Sequence, residues 1–139
     1  MTIRYAASER ALLNSDSAEY MNALQLAFFR ERLLSMRDEL DHHAAETIAD
    51  LQNTVVPSDS ADRATQEEEQ ESELNARERD LRMAEAIEHA LRRIENRTYG
   101  FCEATGEPIG LERLLAQPTA TLTLTAQQDH ERSRRQFGR

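Results

Sequence analysis

The sequence predicts a mainly α-helical protein: a long antiparallel coiled-coil hairpin projecting from a small globular base that ends in a C-terminal helix. Apolar residues recur at alternating spacings of three and four in two long segments. A turn-forming stretch that contains Pro57 separates these segments. The chain is 39% hydrophobic, 5% aromatic and without Trp, a lean composition for 139 residues that favours an elongated helical protein.

The first long helix is expected to follow a loosely structured stretch, residues 1–16, with Asp16 or Ser17 as its cap. Its apolar stripe runs toward residue 53 and has the spacing of an a/d seam. The stripe consists of Leu26, Phe29, Leu33, Met36, Leu40, His43 and Thr47.

The second long helix is expected to begin near Ala61 or Asp62 and to end within residues 96–100, where Gly100 suits a helix C-terminus. Two such helices joined by a short turn pair in antiparallel fashion. The apolar stripe of the second helix consists of Leu74, Leu81, Ala84, Ile87, Leu91 and Ile94.

The segment that follows has the spacing of a zinc ribbon without its ligands. Cys102 stands where a CxxC pair would begin, and Thr105 takes the second position. Thr123 and Ala126 stand where a second pair would lie. Because a structural zinc needs four Cys or His ligands, the segment is expected to fold without a metal.

Three regions are therefore predicted. Residues 1–25 are the N-terminal part of the base, residues 26–97 are the hairpin with its tip near 54–64, and residues 98–139 complete the base. The alternation of Thr and Leu over 121–125 predicts a short strand before a helix near 126–137. The apolar core of the base is expected to come from Phe101, Ile109, Leu111, Leu114, Leu115, Leu122 and Leu124.

The net charge of −9 argues against direct DNA binding, because a DNA-binding surface needs cations that neutralise phosphates. The single Cys excludes a disulfide within the chain. No apolar segment has the length of a membrane span or a signal sequence, so a cytoplasmic protein is expected.

Two acidic residues, Asp59 and Asp62, lie three apart at the predicted tip of the hairpin. One interpretation is that both are N-terminal helix caps. The other is that a stiff hairpin carries these carboxylates into a partner, where they accept hydrogen bonds from Arg or from backbone N–H groups. The spacing alone does not decide between the two interpretations.

Several motifs together resemble the DksA family of bacterial transcription factors over about residues 20–137. They are the DxxDxA sequence at 59–64, the acidic run that follows it, YGFC at 99–102, TGEPIG at 105–110 and PTATL at 118–122. The resemblance implies a hairpin that enters the secondary channel of RNA polymerase from a globular base, with no DNA binding of its own. It also implies regulation of transcription initiation, commonly together with the alarmone ppGpp. No enzymatic activity is expected, because the sequence shows no nucleophile–base pair, Gly-rich phosphate loop or metal cluster.

The resemblance assigns roles to individual residues. Asp59, Asp62 and Ala64 match the family's functional tip near the polymerase active site. Arg79 matches a basic position that contacts the rim of the channel, although an ordinary solvated ion pair with a nearby Glu is an alternative. The protein is expected to act as a monomer.

Cys102, Thr105, Thr123 and Ala126 match the four zinc-ligand positions of the family, as in a zinc-independent DksA paralogue. No metal or other cofactor is therefore expected within the chain.

The positions at which family members carry basic residues for ppGpp are Ala86, Gln117 and Gln127 in this chain. A polyphosphate site without those charges is expected to be weak, which leaves the ppGpp response open. Nearby basic residues that could substitute are Arg82, Arg92, Arg93 and Arg113.

Two other functions fit the same sequence features. A transcript-cleavage or elongation factor would use the tip acids to hold Mg²⁺ inside the polymerase. A coiled-coil scaffold or oligomerisation module would depend on seam residues such as Leu33 and Leu91, and substitutions at the tip would have no effect on it.

Overall fold

The computed structural model describes residues 7–13, 19–53 and 60–137. In these ranges the chain forms five helices: α1 (Ala7–Leu13), α2 (Ala23–Gln52), α3 (Ser60–Glu95), α4 (Leu111–Ala116) and α5 (Leu124–Phe137). The β-type pairing in the same ranges is a single antiparallel bridge between Phe101 and Pro108. The predicted mainly α-helical fold with two long helices is confirmed.

The chain divides into two compact units. The base unit comprises Met1–Leu33 together with His89–Arg139, and the hairpin unit comprises Leu34–Glu88. Both long helices contribute residues to both units, so each unit contains parts of α2 and α3. No helix in the described ranges is long and apolar enough to cross a membrane.

Helix α1 lies within the stretch that was expected to be loosely structured, so that expectation is wrong for residues 7–13. Leu12 is buried in the base, α1 packs against α4, and the carboxylate of Glu9 lies 2.5 Å from the guanidinium of Arg32 on α2. A seven-residue helix is unstable in isolation, so these tertiary contacts account for it.

Helix α2 begins at Ala23, whereas the predicted caps Asp16 and Ser17 lie outside the described residues. Asn22 caps the helix, since its Oδ1 accepts the Gln25 N–H at 2.9 Å. The side chain of Gln25 reaches back and accepts the N–H of Met21 at 2.7 Å. This reciprocal arrangement resembles a capping box and fixes where α2 starts.

Helix α3 ends at Glu95, close to the predicted boundary, but the residue that reverses the chain is Arg97 and not Gly100. Arg97 has φ 61°, its N–H donates to the Ile94 carbonyl at 3.2 Å, and the Thr98 N–H donates to the Arg93 carbonyl at 2.9 Å. This pair of bonds is a Schellman motif, and it stops the helix.

Gly100 serves the turn that follows α3. It has φ +88°, and a Cβ at this position would lie 2.7 Å from the side chain of Met21. Glycine is therefore required here for two reasons, the backbone conformation and the close approach of a neighbouring side chain.

The core of the base unit is small and includes aromatic side chains. Phe29 and Tyr99 are fully buried with ring centroids 5.6 Å apart, and the Tyr99 hydroxyl donates to the Pro118 carbonyl at 2.7 Å. Of the residues predicted for this core, Ile109, Leu114 and Leu115 are buried. Phe101, Leu111 and Leu122 are half-buried. Leu124 is 57% exposed, so its predicted place in the core is wrong.

In the hairpin unit, α2 and α3 run antiparallel. Arg37 pairs with Glu88 at 3.1 Å, and His43 pairs with Asp80 at 3.4 Å. The residue numbers of the partners on α3 therefore decrease as those on α2 increase, as they do in an antiparallel pair. Ile87 is buried.

The predicted seam of α3 is only partly correct. Leu74 and Leu81 are each 60% exposed, while Ala76, Asp80 and Ala84 are half-buried. Exposure of the two leucines places them outside the packed face that the leucine spacing suggested.

Candidate functional site

The tip region contains three of the predicted functional residues. Asp59 lies outside the described residues. Asp62 lies in the first turn of α3, and Ala64, two residues further along the helix, is exposed.

An exposed acidic surface continues along α3 from the tip. Glu67, Glu68, Glu69, Glu71 and Glu73 are all exposed. This part of α3 therefore presents a high density of negative charge, which suits a basic surface on a partner.

Arg79 is exposed on α3, and none of the ion pairs between described residues includes it. The alternative that an intramolecular pair with a Glu occupies Arg79 therefore gains no support from the described part of the chain. Its guanidinium is available to a partner's carboxylate or backbone carbonyl.

Hydrogen bonds give a defined conformation to the degenerate zinc segment, which is the stretch from Cys102 to Ala126 that carries the four ligand positions. The Cys102 N–H donates to the Glu107 carbonyl at 2.7 Å, and the Gly106 N–H donates to the Cys102 carbonyl at 2.8 Å. The Thr105 hydroxyl accepts the Glu107 N–H at 3.2 Å. These bonds close the turn that a CxxC pair would otherwise hold on a metal.

Thr123 has two partners at the start of α5. Its hydroxyl oxygen accepts the Ala126 N–H at 3.2 Å, as an N-cap does, and the same hydroxyl lies 3.9 Å from the Cys102 sulfur, toward which it donates. The strand predicted over 121–125 is wrong, because Thr123 caps a helix that begins at Leu124. The structure thus brings Cys102, Thr105 and Thr123 together through hydrogen bonds.

The surroundings of Cys102 stabilise its anionic form. Burial raises the pKa of the thiol, but hydrogen bonds from the Thr105 hydroxyl and from the backbone of Thr123, Ala104 and Thr105 outweigh burial and lower the pKa to about 6. The side chain is 3% exposed, so the sulfur accepts these bonds inside the base and not at its surface.

This set of donors does not fit a structural zinc. One thiol, two threonine hydroxyls and an alanine methyl cannot supply the four Cys or His ligands of a closed tetrahedral site. Elsewhere in the described ranges no group of three or more His, Cys, Asp or Glu residues could hold a metal ion.

The positions that the resemblance assigns to ppGpp carry no charge, and two of the four nearby arginines are engaged inside the base. Arg93 is buried and donates to the carbonyls of Thr98 and Phe101 at 2.8 and 2.5 Å. Arg113 donates to the Leu122 carbonyl at 3.0 Å and to the side chain of Gln127.

Arg82 and Arg92, in contrast, are exposed on α3. Of the four candidate substitutes, these two retain guanidinium groups that can meet a phosphate.

One functional detail of the base has no local signal in the sequence. The Tyr20 hydroxyl donates to the Gly100 carbonyl at 2.7 Å and accepts the Gly110 N–H at 3.0 Å, while its ring meets Phe101 edge-on at 5.4 Å. Tyr20 therefore joins the residues just before α2 to both ends of the turn over residues 100–110. Residues 80 and 90 positions apart make these bonds, so only the fold could reveal them.

Comparisons with known proteins agree with this arrangement. Residues 25–94 match the family model of the DnaK suppressor protein DksA N-terminal domain, and residues 97–132 match that of the prokaryotic dksA/traR C4-type zinc finger. The RNA polymerase-binding transcription factor DksA of Caulobacter vibrioides is 44% identical over 122 residues, which cover 87% of this chain and 86% of the relative. The protein of the same name from Escherichia coli K12 is 40% identical over 76% of this chain and 71% of the relative.

A solved structure extends the similarity to the fold. Transcription factor DksA2 from Pseudomonas aeruginosa superposes with a TM-score of 0.80 at 41% identity, covering 91% of this chain and 98% of that chain. The similarity thus spans both long helices and the segment around Cys102, and the chain belongs to the DksA family.

Proposed function

We propose that this protein binds RNA polymerase through the secondary channel and regulates transcription initiation in the cytoplasm, without catalysis or DNA binding of its own. The observation that carries the proposal is the similarity over both regions of the chain to relatives named RNA polymerase-binding transcription factors. The net charge of −9 supports a protein partner over nucleic acid.

In this proposal the tip acts inside the polymerase and Arg79 acts at the rim of the channel. Asp59 and Asp62 present carboxylates that accept hydrogen bonds from Arg or backbone N–H groups of the polymerase, with Ala64 beside them. Aspartate has a short side chain that costs little conformational entropy to position, which suits contacts in a narrow channel.

The base is proposed to keep its fold without zinc. The backbone N–H groups that Thr105 and Thr123 accept, the bridging hydroxyl of Tyr20 and the burial of Leu114 and Leu115 support this proposal. A base that holds no metal cannot lose one, so the protein is proposed to serve when zinc is scarce or when the thiols of four-cysteine relatives are oxidised.

The ppGpp response is proposed to be weak. Gln117 and Gln127 offer neutral amides to an anion, and Gln127 is already bonded to Arg113. Arg82 and Arg92 are the exposed guanidinium groups through which a residual response would act.

The proposed function is tested with Asp62→Asn, which removes the charge and keeps the size of the side chain. Promoter regulation in a purified transcription assay is expected to be lost, while affinity for polymerase stays within about twofold, because most interface residues cost less than about 1 kcal/mol of binding energy when they are changed. Asp129→Asn, on the exposed face of α5, is the matched control and is expected to behave as the unmodified protein.

Three outcomes would contradict this assignment. Absence of polymerase binding by the unmodified chain would refute the proposed partner. Regulation that survives in Asp62→Asn would show that this carboxylate has no part in it, and stimulated RNA cleavage by stalled complexes would assign the protein to the cleavage factors instead.

A further inference from the structure

The hairpin unit contains a groove between α2 and α3. Its volume is about 400 Å³, and it lies where the predicted seam would have been filled by large side chains. The apolar residues that line it are Leu40, Ala44, Ile48, Ala76, Leu81 and Ala84.

The groove exists because small and polar side chains replace large apolar ones in this part of the seam between α2 and α3. Three of the apolar lining residues are alanines, and Asp80 and Thr47 stand beside them where a coiled coil would place large apolar side chains. Small side chains leave interhelical space unfilled, and that space forfeits dispersion contacts. Such a defect in a two-helix structure suggests that another element fills it.

The border of the groove is apolar and exposed to solvent. Leu81 is 60% exposed on α3, and Ile48 is 46% exposed on α2. Leu74 lies seven residues before Leu81 and is also 60% exposed, so the exposed apolar surface continues one heptad along α3 toward its start. Exposed leucines at heptad spacing form the kind of face that a further helix covers.

Charge around the groove determines which occupant fits. Asp41, Asp50, Glu73 and Asp80 are among its lining residues, against one arginine, Arg77, and one histidine, His43. An occupant with basic flanks is therefore favoured. A second copy of this chain, with its net charge of −9, would bring like charges together.

We propose that the groove receives a helix of RNA polymerase that presents apolar side chains flanked by Lys or Arg. The inference rests on the proposed function and adds a second contact to it, because Arg79 does not line the groove. A helix supplies apolar side chains at spacings of three and four on one face, which matches a groove between two helices. Packing of that helix against Leu81 and Ile48 completes a three-helix arrangement.

The test compares Leu81→Glu with Leu24→Glu in the full-length protein. Both leucines are largely exposed, at 60% and 70%, so both variants are expected to fold, and Leu24 lies outside the groove. Affinity for purified RNA polymerase is measured by fluorescence anisotropy, with helicity checked by circular dichroism. Leu81→Glu is expected to weaken binding at least tenfold, because it places a carboxylate against the apolar face of the occupant.

A control variant, a charge-reversal variant and a crosslinking residue test whether the occupant is a basic helix of the polymerase. Leu24→Glu is expected to bind within about twofold of the unmodified chain. Glu73→Arg reverses one charge at the border and is expected to weaken binding more at low salt than at high salt. A photo-crosslinking residue in place of Leu81 is expected to capture a helical polymerase segment that contains Lys or Arg, and capture of a loop or an acidic segment would overturn the proposal.

The failure of this inference and that of the proposed function are distinguishable. No polymerase binding by the unmodified chain refutes both. If the unmodified chain binds polymerase and Leu81→Glu binds equally well, only the proposal that a polymerase helix occupies the groove is refuted. A concentration-dependent dimer of the unmodified chain that Leu81→Glu dissociates would assign the groove to a second copy and overturn the proposal. If Leu81→Glu loses helicity, the proposal is tested by the crosslinking result and by the affinity of Leu81→Ala for RNA polymerase. Full affinity in Leu81→Ala would contradict the proposed packing.

Discussion

The bridging hydroxyl of Tyr20 gives the sharpest prediction about the base. Tyr20→Phe removes one oxygen atom and keeps the ring that meets Phe101 edge-on at 5.4 Å. Two hydrogen bonds disappear, one to the Gly100 carbonyl at 2.7 Å and one from the Gly110 N–H at 3.0 Å. The Gly100 carbonyl still accepts the Ile109 N–H at 2.8 Å, so the Gly110 N–H is the group that loses its partner.

The expected magnitude follows from these contacts. A hydrogen bond contributes roughly 0.5–1.5 kcal/mol net, so the loss of two destabilises the local fold by about 1–3 kcal/mol. The lower half of that range is favoured because Gly110 is only half-buried and water can reach its N–H. A loss of one to two kcal/mol changes the population of the open state by about 5- to 30-fold.

Amide hydrogen exchange measured by mass spectrometry localises the effect. Residues 99–111 are expected to exchange about 5- to 30-fold faster in Tyr20→Phe, with and without a zinc chelator. Tyr99→Phe is the matched comparison, because it removes one hydroxyl bond, to the Pro118 carbonyl, and is expected to act on residues 117–120. Unchanged exchange over 99–111 in Tyr20→Phe would refute the reasoning that this hydroxyl holds the segment.

Three further predictions concern the core and the thiol. Gly100→Ala is expected to destabilise the base by about 1–3 kcal/mol in urea unfolding, because φ is +88° and the added Cβ would meet Met21 at 2.7 Å; an unchanged midpoint would contradict this. Leu33→Ala, at a fully buried position, is expected to cost about 3–5 kcal/mol by the same assay, and a cost below about 1 kcal/mol would contradict the burial. For Cys102, whose folded pKa is lowered to about 6, the thiolate contributes stability above its unfolded pKa that is lost as pH falls through about 6. The stability advantage of the unmodified chain over Cys102→Ser is therefore expected to grow from pH 6 to 9 in urea unfolding at each pH, and an advantage independent of pH would contradict the lowered pKa.

The long helices were predictable because their signals are local and repeated. Phe29, Leu33 and Ile87 have the expected spacing and are buried. The start of α2 was predicted too early, with Asp16 or Ser17 as the cap, whereas Asn22 caps the helix.

Other features could not be read from local pattern. Leu74 and Leu81 have seam spacing but are exposed, because the face toward α2 at this level is made of alanines and Asp80. The alternation of Thr and Leu over 121–125 suggested a strand, whereas the hydroxyl of Thr123 starts a helix. Helix α1 depends on contacts with α2 and α4 that no local rule contains.

The candidate site was predicted mainly through family resemblance. The spacing of Cys102, Thr105, Thr123 and Ala126 could be read directly, and the donor chemistry of these residues excludes a four-ligand zinc site. That Thr105 and Thr123 hydrogen-bond around the thiol, and that Arg93 and Arg113 are engaged inside the base, required the three-dimensional arrangement.

The central claim is that this protein binds RNA polymerase without a metal of its own. The most direct test treats the chain alone with a strong zinc chelator, removes the chelator, and then measures the affinity of the chain for RNA polymerase. Treating the chain separately spares any metals of the polymerase. We predict equal dissociation constants for treated and untreated protein, within about twofold, because Cys102 is the single thiol in the sequence and the base depends on hydrogen bonds and apolar packing. A large loss of affinity that added zinc restores would contradict this account.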